Sequence, residues 1–435
     1  MEKSKRKIYL DHASATPMDP NVVSAMVEIF KKDFANSSAI HDLGVETKKI
    51  LEQARKNVAE ILGAHSDEII FTSGATESNN LAIMGIINAG KINLLQGPWK
   101  GVSQTIAKSS FFPHLVTTNI EHSSVLETCR YLEETKQAEV TYVPIEANGI
   151  VSPKKIKKAI KPNTILVSVM YANNEIGTIQ PIREIAKEIR HYKKTKSKQQ
   201  KAESYPLFHT DATQAINYLP IKVEKLGVDL MSFNGSKIYG PKGVGVLYIK
   251  RKTPIGKIMQ GGDQEFGLRP GTENVAGIIG LAEALKIAEK IKEKEVKRLT
   301  KLRDYFFMEL TNLQKQNLKF SRVLGLDPDQ LENFDFVFAV NGDLKNRLPN
   351  NINITISKIP SDLLVLEFSA REIYISEKSA CKSGEKKGSY VVKAISPKSS
   401  GSLRFSLGRQ TTKADIDYVI KSLSEILKKL KKWYH

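Results

Sequence analysis

Short runs of apolar residues alternate, along the first two thirds of the chain, with longer stretches in which apolar residues recur every three or four positions. The short runs predict β-strands, and the spacing within the longer stretches predicts helices that cross from one strand to the next. This alternation is typical of an α/β fold in which helices flank a mostly parallel sheet. The predicted strands cover residues 68–72, 115–119, 140–144, 165–171, 207–210, 230–233 and 244–249.

The last third of the chain begins with a long charged run of helical periodicity at 274–314, which predicts a connector leaving a large domain. Two polar stretches, at 88–112 and 192–204, read as surface insertions. In the smaller α/β domain that follows the connector, the predicted strands are 351–356 and 403–407 and the predicted helices 361–370 and 413–432. The predicted organisation is an N-terminal segment that packs with the small domain (1–20), a large domain (21–290) and a small domain (291–435).

The composition limits the classes of protein to which the chain can belong. At 435 residues and 41% hydrophobic content, it is long enough to bury a large core. No apolar stretch reaches the roughly 18 residues that a membrane span needs. Residues 1–7 are charged and lead straight into Ile8, without the apolar region of a signal peptide. Together with only two cysteines, these features predict a cytoplasmic protein without membrane contact.

The formal net charge of +19 favours anionic partners, so nucleic acid is one class of ligand to weigh. The lysines are spread over helix-like stretches such as 154–161 and 286–301, without the interleaved aromatic residues of an RNA-binding surface. We therefore expect a solvated basic surface and no direct nucleic-acid binding, although such a surface would attract a transient acidic protein. The eight histidines and two cysteines show no metal-ligand spacing, so no metal site is expected.

Three features point to Schiff-base chemistry, which needs a lysine for a cofactor aldehyde, a carboxylate for a pyridine nitrogen and donors for a phosphate. After strand 68–72, the stretch 73–79 predicts a glycine turn that opens a helix, and such a helix N-terminus suits a phosphate. Asp211 and Lys237 follow neighbouring strands, which would place both in one cleft. Taken singly, a capped helix, an N-cap aspartate and a surface lysine remain the simpler interpretations.

The ordered set of motifs resembles the class-V, fold-type I pyridoxal-phosphate enzymes, and most closely the cysteine desulfurases of iron–sulfur cluster assembly. The resemblance covers almost the entire chain and implies pyridoxal 5'-phosphate as the cofactor. The motifs that carry it lie at 9–11, 15–17, 71–79, 121–122, 173–177, 211–214, 237–243, 269–274, 379–381 and 404–409.

The resemblance implies a role for each matching residue. Lys237 would bind the cofactor aldehyde covalently, and Asp211 would pair with the ring nitrogen. His122 would stack on the ring and handle protons, and Arg404 would clamp the substrate carboxylate with its guanidinium fork. Thr272 would reach the phosphate of the neighbouring subunit, which implies a homodimer with shared sites. The other implied cofactor contacts are Ala75, Thr76, Asn174, Gln214, Asn234 and Ser236, and Asn174 is also expected near the substrate.

Cys381 distinguishes between the reactions of this family. It lies in a polar, glycine-containing stretch, 377–388, that predicts an exposed loop, and Lys378 and Lys382 bias its thiol toward thiolate. The implied mechanism gives Cys381 the sulfur of L-cysteine as a persulfide and releases L-alanine. Sulfur-acceptor proteins for iron–sulfur cluster assembly or tRNA thiolation would then take the persulfide. Cys129 is predicted to be a packed core side chain.

The chain departs from the family pattern just before the cofactor lysine. Ser236 replaces the usual histidine and Asn234 replaces a common serine, and each keeps a hydrogen-bond donor. Three alternatives stay open at this point: a selenocysteine lyase, a class-V aminotransferase and a weakly active sulfur-relay scaffold. The segment 379–381 argues against the aminotransferase, because transamination needs no reactive cysteine.

Overall fold

The computed structural model describes residues 7–96, 112–197, 205–317, 338–377, 388–397 and 401–432. The helices are α1 Pro20–Lys32, α2 Asp42–Leu62, α3 Ala75–Gln96, α4 Ser123–Glu134, α5 Pro153–Ala159, α6 Ile182–Ser197, α7 Val223–Leu226, α8 Val275–Asn317, α9 Ser361–Ser369, α10 Tyr390–Ile395 and α11 Lys413–Leu430. The strands are β1 Ile8–Tyr9, β2 Ile69–Thr72, β3 His114–Thr118, β4 Glu139–Val143, β5 Thr164–Ser168, β6 Leu207–Asp211, β7 Leu230–Asn234, β8 Gly245–Ile249, β9 Phe338–Val340, β10 Asn351–Ile356, β11 Ile373–Tyr374 and β12 Leu403–Ser406.

Within these ranges, a seven-stranded sheet has the order β2-β8-β7-β6-β5-β3-β4. Strands β3 to β7 pair in parallel, and β8 runs antiparallel to both β7 and β2. Successive residues of a strand enter separate apolar clusters on the two faces of the sheet, as a period of two requires. Val116, Phe208 and Met231 belong to one cluster, and Leu115, Leu207 and Leu230 belong to the other. The predicted α/β class with a mostly parallel sheet is confirmed.

The two predicted surface insertions begin later than expected. Helix α3 continues to Gln96 and α6 continues to Ser197, so 88–96 and 192–197 are helical. The physical reason is that extending an existing helix adds a backbone hydrogen bond for each residue fixed, and no proline interrupts either stretch. The remaining parts of both stretches, 97–111 and 198–204, lie outside the described residues.

The connector helix α8 contacts both the N-terminal and the C-terminal helices. It packs against α1, α2 and α11. The predicted domain boundary after residue 290 falls inside this helix, and the division into domains stays a prediction.

In the C-terminal part, β10 pairs antiparallel with both β9 and β12. Strand β1 pairs in parallel with β11, which brings Ile8 opposite Ile373.

Candidate active site

A cleft with about 720 Å³ of empty space lies where β2, β3, β5, β6 and β7 hand over to the loops and helices that follow them. The carboxyl ends of parallel strands meet at one edge of a sheet, which explains why residues so distant in sequence line one space. The predicted site residues that line it are Ala75, Thr76, His122, Asn174, Asp211, Gln214, Asn234, Lys237 and Arg404.

The turn between β2 and α3 provides the start of a helix at the cleft. Gly74 has a φ of 156°, and the side chain of Glu77 accepts a hydrogen bond from the backbone amide of Ser73 at 2.6 Å. A Cβ on Gly245 would lie 2.6 Å from the backbone of Gly74, so only glycine permits this approach between β8 and the turn. The amides at Ala75 and Thr76 belong to the first turn of α3, where helix N–H groups lack intrahelical partners and favour an anion.

Asp211 is the buried carboxylate of the cleft, and its orientation is set by two donors. Its Oδ2 accepts from Asn79 Nδ2 at 2.8 Å, and its Oδ1 accepts from the backbone amide of Thr213 at 2.9 Å. Asn79 is itself fully buried on α3 and also donates to Ser124 at 2.8 Å. A carboxylate held in this way retains acceptor capacity for a cationic N–H, such as a protonated pyridine nitrogen.

Lys237 ends the short 3₁₀ turn Gly235–Lys237 that follows β7, and it donates from Nζ to the backbone carbonyl of Ser14. The turn is fixed from the N-terminal segment, because both the amide and the hydroxyl of Thr16 donate to the carbonyl of Ser236 at 3.0 Å. The Ser236 hydroxyl donates to Asn234 Oδ1 at 3.2 Å, and Ser236 is not among the cleft-lining residues.

His122 caps the N-terminus of α4, and this role orients its ring. Its Nδ1 accepts from the backbone amide of Ser124 at 3.1 Å and lies 2.8 Å from the Ser124 hydroxyl. Since Nδ1 accepts, Nε2 carries the proton of the neutral ring. The preceding residue, Glu121, is fully buried, and burial raises the pKa of its carboxyl to about 8.

Arg404 reaches the cleft from β12 with a side chain that is 2% exposed. Its Nη2 donates to Asp11 Oδ1 at 2.7 Å and to Ser14 Oγ at 2.6 Å, and Nη1 donates to the backbone carbonyl of Asn174 at 2.9 Å. Gln214 also contacts the N-terminal segment, donating from Nε2 to the carbonyl of Ala13 at 2.9 Å. The N-terminal segment therefore forms one wall of the cleft.

Besides Ser236, one predicted residue of the described ranges does not line this cleft. Thr272 is exposed and follows Gly271, away from the cleft-lining side chains of its own chain. Cys381 lies outside the described residues. The residues that flank its segment do reach the site: Ser376 pairs with Arg404 through two backbone hydrogen bonds, and Tyr390 donates from its hydroxyl to the carbonyl of Glu121.

Several residues that line the cleft or contact its lining side chains are absent from the set predicted from the sequence. Asn79 belongs to the motif 71–79. Its position one helical turn after Ala75 places both residues on the same face of α3, and this spacing could have indicated a role near the cleft. Asp11 lay inside the motif 9–11, but nothing local indicated its pairing with a residue 393 positions later. The cleft-lining residues that were not predicted are Ala13, Ser14, Met170, Ala172 and Thr213.

The buried polar atoms around the cleft test whether pyridoxal phosphate fits. Among the described residues, Asn174 Oδ1, Thr213 Oγ1 and Arg404 Nε are buried without a hydrogen-bond partner. Buried polar atoms of a folded protein are normally paired, so three orphans lining one cleft indicate a polar ligand. Lys237, Asp211 and the start of α3 match the aldehyde, ring nitrogen and phosphate of this cofactor.

Comparison with known proteins decides the family. The family model described as Aminotransferase class-V matches residues 8–96 and 104–419. The chain belongs to the class-V aminotransferase family. Among class-V relatives, "Cysteine desulfurase IscS" of Dictyoglomus turgidum is 41% identical over 98% of this chain and 96% of its own length. This identity confirms the predicted resemblance to the cysteine desulfurases.

Solved structures of class-V relatives agree with this assignment. A "NIFS-LIKE PROTEIN" superimposes with a TM-score of 0.79 at 33% identity, covering 98% of this chain and all of its own. "SspA in complex with cysteine" gives a TM-score of 0.69 at 31% identity, covering 92% of this chain and 99% of its own. The predicted fold-type I architecture is therefore confirmed.

The described part of the chain lacks both a membrane-spanning helix and a cluster of metal ligands. None of its helices combines the length and apolar character that a membrane crossing needs. No group of three or more His, Cys, Asp or Glu side chains in these ranges is arranged to hold a metal ion.

Proposed function

We propose that this chain is a pyridoxal-phosphate-dependent cysteine desulfurase that converts L-cysteine to L-alanine and transfers the sulfur to Cys381 as a persulfide. The observation that carries the proposal is the convergence of Lys237, Asp211, His122 and Arg404 on one cleft at the carboxyl edge of the sheet. The 41% identity to a named cysteine desulfurase over nearly the whole chain supports the same reaction.

Each chain residue has a task that follows from its position. When bound, pyridoxal phosphate supplies an electron sink for the bonds next to the amino group of an attached amino acid. Lys237 would hold the cofactor aldehyde, and Asp211 would keep the ring nitrogen protonated. The first-turn amides of α3 would bind the phosphate. His122, with Nδ1 occupied by Ser124, presents Nε2 for ring contact and proton transfer.

The substrate side of the cleft is formed by Arg404 and Asn174. Arg404 faces the cleft with an unpartnered Nε–H, and Asn174 with an unpartnered Oδ1. These groups suit the carboxylate and amine of an amino acid, respectively. The solved structure of SspA with cysteine shows a similar protein with this substrate class.

Cys381 is proposed as the sulfur acceptor. Its thiolate attacks the substrate sulfur, an S–S bond forms and the substrate C–S bond breaks; the carbon skeleton keeps that electron pair, takes a proton and leaves as L-alanine. The carbonyl of Glu377, the last described residue before the segment, accepts a hydrogen bond from the Ser402 hydroxyl at 3.1 Å. Cys381 follows four positions later, so its Cα lies within about 14 Å of the Cα of Glu377.

A homodimer is proposed because an apolar face of α1 is uncovered. Val23, Val27 and Phe30 follow helical spacing along this face and are 42%, 38% and 65% exposed. Phe34, just past the helix, is 77% exposed. Contiguous exposed apolar side chains of this kind mark association surfaces. The partner in a dimer would cover this face, and its Thr272 would reach the phosphate of the opposite cleft.

The product assay separates this function from its alternatives. Purified protein is incubated with pyridoxal phosphate, L-cysteine and a thiol reductant, with and without a 2-oxo acid. A desulfurase forms L-alanine in both cases and does not consume the 2-oxo acid. Consumption of the 2-oxo acid in step with loss of cysteine would establish an aminotransferase instead. Turnover of L-selenocysteine alone would establish a selenocysteine lyase. We propose a cytoplasmic enzyme that passes its persulfide to acceptor proteins of iron–sulfur cluster assembly or tRNA thiolation.

A further inference from the structure

The guanidinium nitrogen of Arg404 that a substrate carboxylate needs, Nη2, already donates hydrogen bonds within the chain. A carboxylate can be gripped by two parallel bonds at either of two edges of a guanidinium, one formed by Nη1 and Nη2 and the other by Nε and Nη2. Both edges include Nη2. In this structure both hydrogens of Nη2 are used, by Asp11 Oδ1 at 2.7 Å and by Ser14 Oγ at 2.6 Å.

Asp11 holds this position through a closed set of bonds. The hydroxyl of Ser14 accepts from Arg404 and donates to Asp11 Oδ1 at 2.9 Å. The backbone around Asp11 is fixed as well, because the hydroxyl of Tyr9 donates to the carbonyls of Asp11 and Ala15 at 3.0 and 2.9 Å. Arg404 and Ser14 line the cleft, whereas Asp11, which contacts both of them, does not.

We propose that Asp11 is a built-in competitor of the substrate carboxylate and that it lowers the affinity of Arg404 for amino acids. The inference deepens the proposed function, since it concerns the same substrate site. A carboxylate that enters the cleft meets an arginine whose charge is already balanced at 2.7 Å. The substrate carboxylate must either displace Asp11 from Nη2 or accept a single hydrogen bond, from Nε–H. Asp11 is thereby a positioning residue: it changes the affinity of the site for amino acids and does not contact the reacting atoms.

A second aspartate of the same N-terminal segment offers a matched control. Asp19 pairs with Arg409 at 2.8 Å, with both side chains 15% exposed, and neither residue lines the cleft. It resembles Asp11, which is 18% exposed in its pair with Arg404. Replacing Asp19 by Asn keeps its cap on α1, where Asp19 Oδ1 accepts from the backbone amide of Asn21. The loss of the negative charge in Asp19→Asn should leave the Kd for amino acids unchanged.

The test measures binding of L-alanine to the holoenzyme by isothermal titration calorimetry. L-alanine carries the amine and carboxylate of the substrate without its sulfur, so no turnover intervenes. Asp11→Asn keeps an oxygen acceptor for Nη2 but removes the charge, and the Kd should fall by about tenfold, which corresponds to about 1.4 kcal/mol. Asp11→Glu should keep the wild-type Kd, and Asp19→Asn should match the wild type.

Steady-state kinetics provide an independent readout. In Asp11→Asn, the KM for L-cysteine should fall by a similar factor, whereas the KM for L-cysteine methyl ester, which lacks the carboxylate charge, should not change. The proposal is overturned if Asp11→Asn leaves the Kd for L-alanine unchanged or raises it, since Asp11 is then only a support for Arg404. Asp11→Ser carries the same expectation should the Asn variant fail to fold.

Failure of this inference and failure of the proposed function give different results. A wild-type protein that binds L-alanine but releases no sulfide from L-cysteine contradicts the desulfurase function and leaves the Asp11 comparison intact. Absence of L-alanine binding in the wild type and in both Asp11 variants overturns the inference together with the substrate role of Arg404.

Discussion

Asn79 donates a hydrogen bond from Nδ2 to Oδ2 of Asp211 at 2.8 Å, which ties the helix that begins at the phosphate turn to the carboxylate proposed for the cofactor ring. Both residues are buried, Asn79 completely. The two parts of the cofactor site are thus fixed to each other through a single side chain. A change at Asn79 should therefore affect cofactor binding although Asn79 does not line the cleft.

We expect Asn79→Ala to weaken binding of pyridoxal phosphate by roughly 10-fold to 100-fold, because a hydrogen bond to a charged group contributes about 1.5–3 kcal/mol. Titration of the apoprotein, followed by cofactor absorbance, gives the Kd. Asn88→Ala is the control, since Asn88 lies on the same helix and donates to the exposed carbonyl of Lys257. Equal affinity in the Asn79 variant and the wild type would show that Asp211 needs no such support.

Glu121 gives a pH prediction. Burial raises the pKa of its carboxyl from near 4.5 to about 8, and the negative charge of Asp211 acts in the same direction. Between these values the unfolded chain loses a proton that the folded protein keeps, so stability falls as pH rises, by up to about 1.4 kcal/mol per pH unit. The neutral variant Glu121→Gln has no carboxyl to titrate at this position, so its stability does not fall with rising pH for this reason. Its stability relative to the wild type should increase from pH 5 to pH 8 and then level off.

Urea unfolding at a series of pH values measures this difference. Parallel stability curves for the wild type and Glu121→Gln would contradict a raised pKa. They would indicate instead that the bonds donated to Glu121 by Thr118 and by the amide of Met170, at 2.6 and 2.9 Å, hold the carboxyl in its charged form.

The ion pair between Arg55 and Glu265 stabilises the loop that leads to Thr272. Arg55 donates to both carboxylate oxygens of Glu265 at 2.7 Å, and both side chains are at least 97% buried. Glu265→Gln should lower the free energy of unfolding by about 3 kcal/mol or more, because it removes the buried counter-charge of the buried arginine. Glu52, which also contacts Arg55, is 47% exposed, and Glu52→Gln should cost less than about 1 kcal/mol. Equal effects of the two variants in urea unfolding would contradict this account.

Phe30→Asp should convert a dimer into monomers, because it places a charge in the centre of the exposed apolar face of α1. Size-exclusion chromatography with light scattering gives the mass directly. Leu366→Asp is the matched control, since Leu366 on α9 is 67% exposed, close to the 65% of Phe30, but lies elsewhere. A wild-type protein that is monomeric, or a Phe30 variant that stays dimeric, would contradict the proposed interface.

The sequence predicted the strands of the large sheet to within a few residues, because each is a short apolar run that ends at a polar turn. It also predicted that Lys237 and Asp211 share a cleft, since both follow neighbouring strands. Cys129 is 1% exposed, as predicted for a core side chain. These features depend on local patterns, which a single sequence displays.

The sequence predicted that residues 1–20 pack with the small domain, but it did not predict the individual contacts between these distant parts of the chain. Strand β1 has two residues and pairs with β11 across more than 360 positions, and no local periodicity reveals such a strand. The pairing of Asp11 with Arg404 has the same origin. Arg404 was expected to hold a carboxylate, but the carboxylate that it holds in this structure is the chain's own.

The central claim is that Lys237 and Cys381 together remove sulfur from L-cysteine. The most direct measurement is the release of sulfide and L-alanine from L-cysteine by purified protein with pyridoxal phosphate and a thiol reductant. The comparison includes Lys237→Ala, Cys381→Ala and, as a control for the second cysteine, Cys129→Ala. We expect equal amounts of the two products from the wild type and the Cys129 variant and neither product from the other two. Sulfide release that persists without Cys381, or cofactor binding without any sulfide from the wild type, would contradict the account.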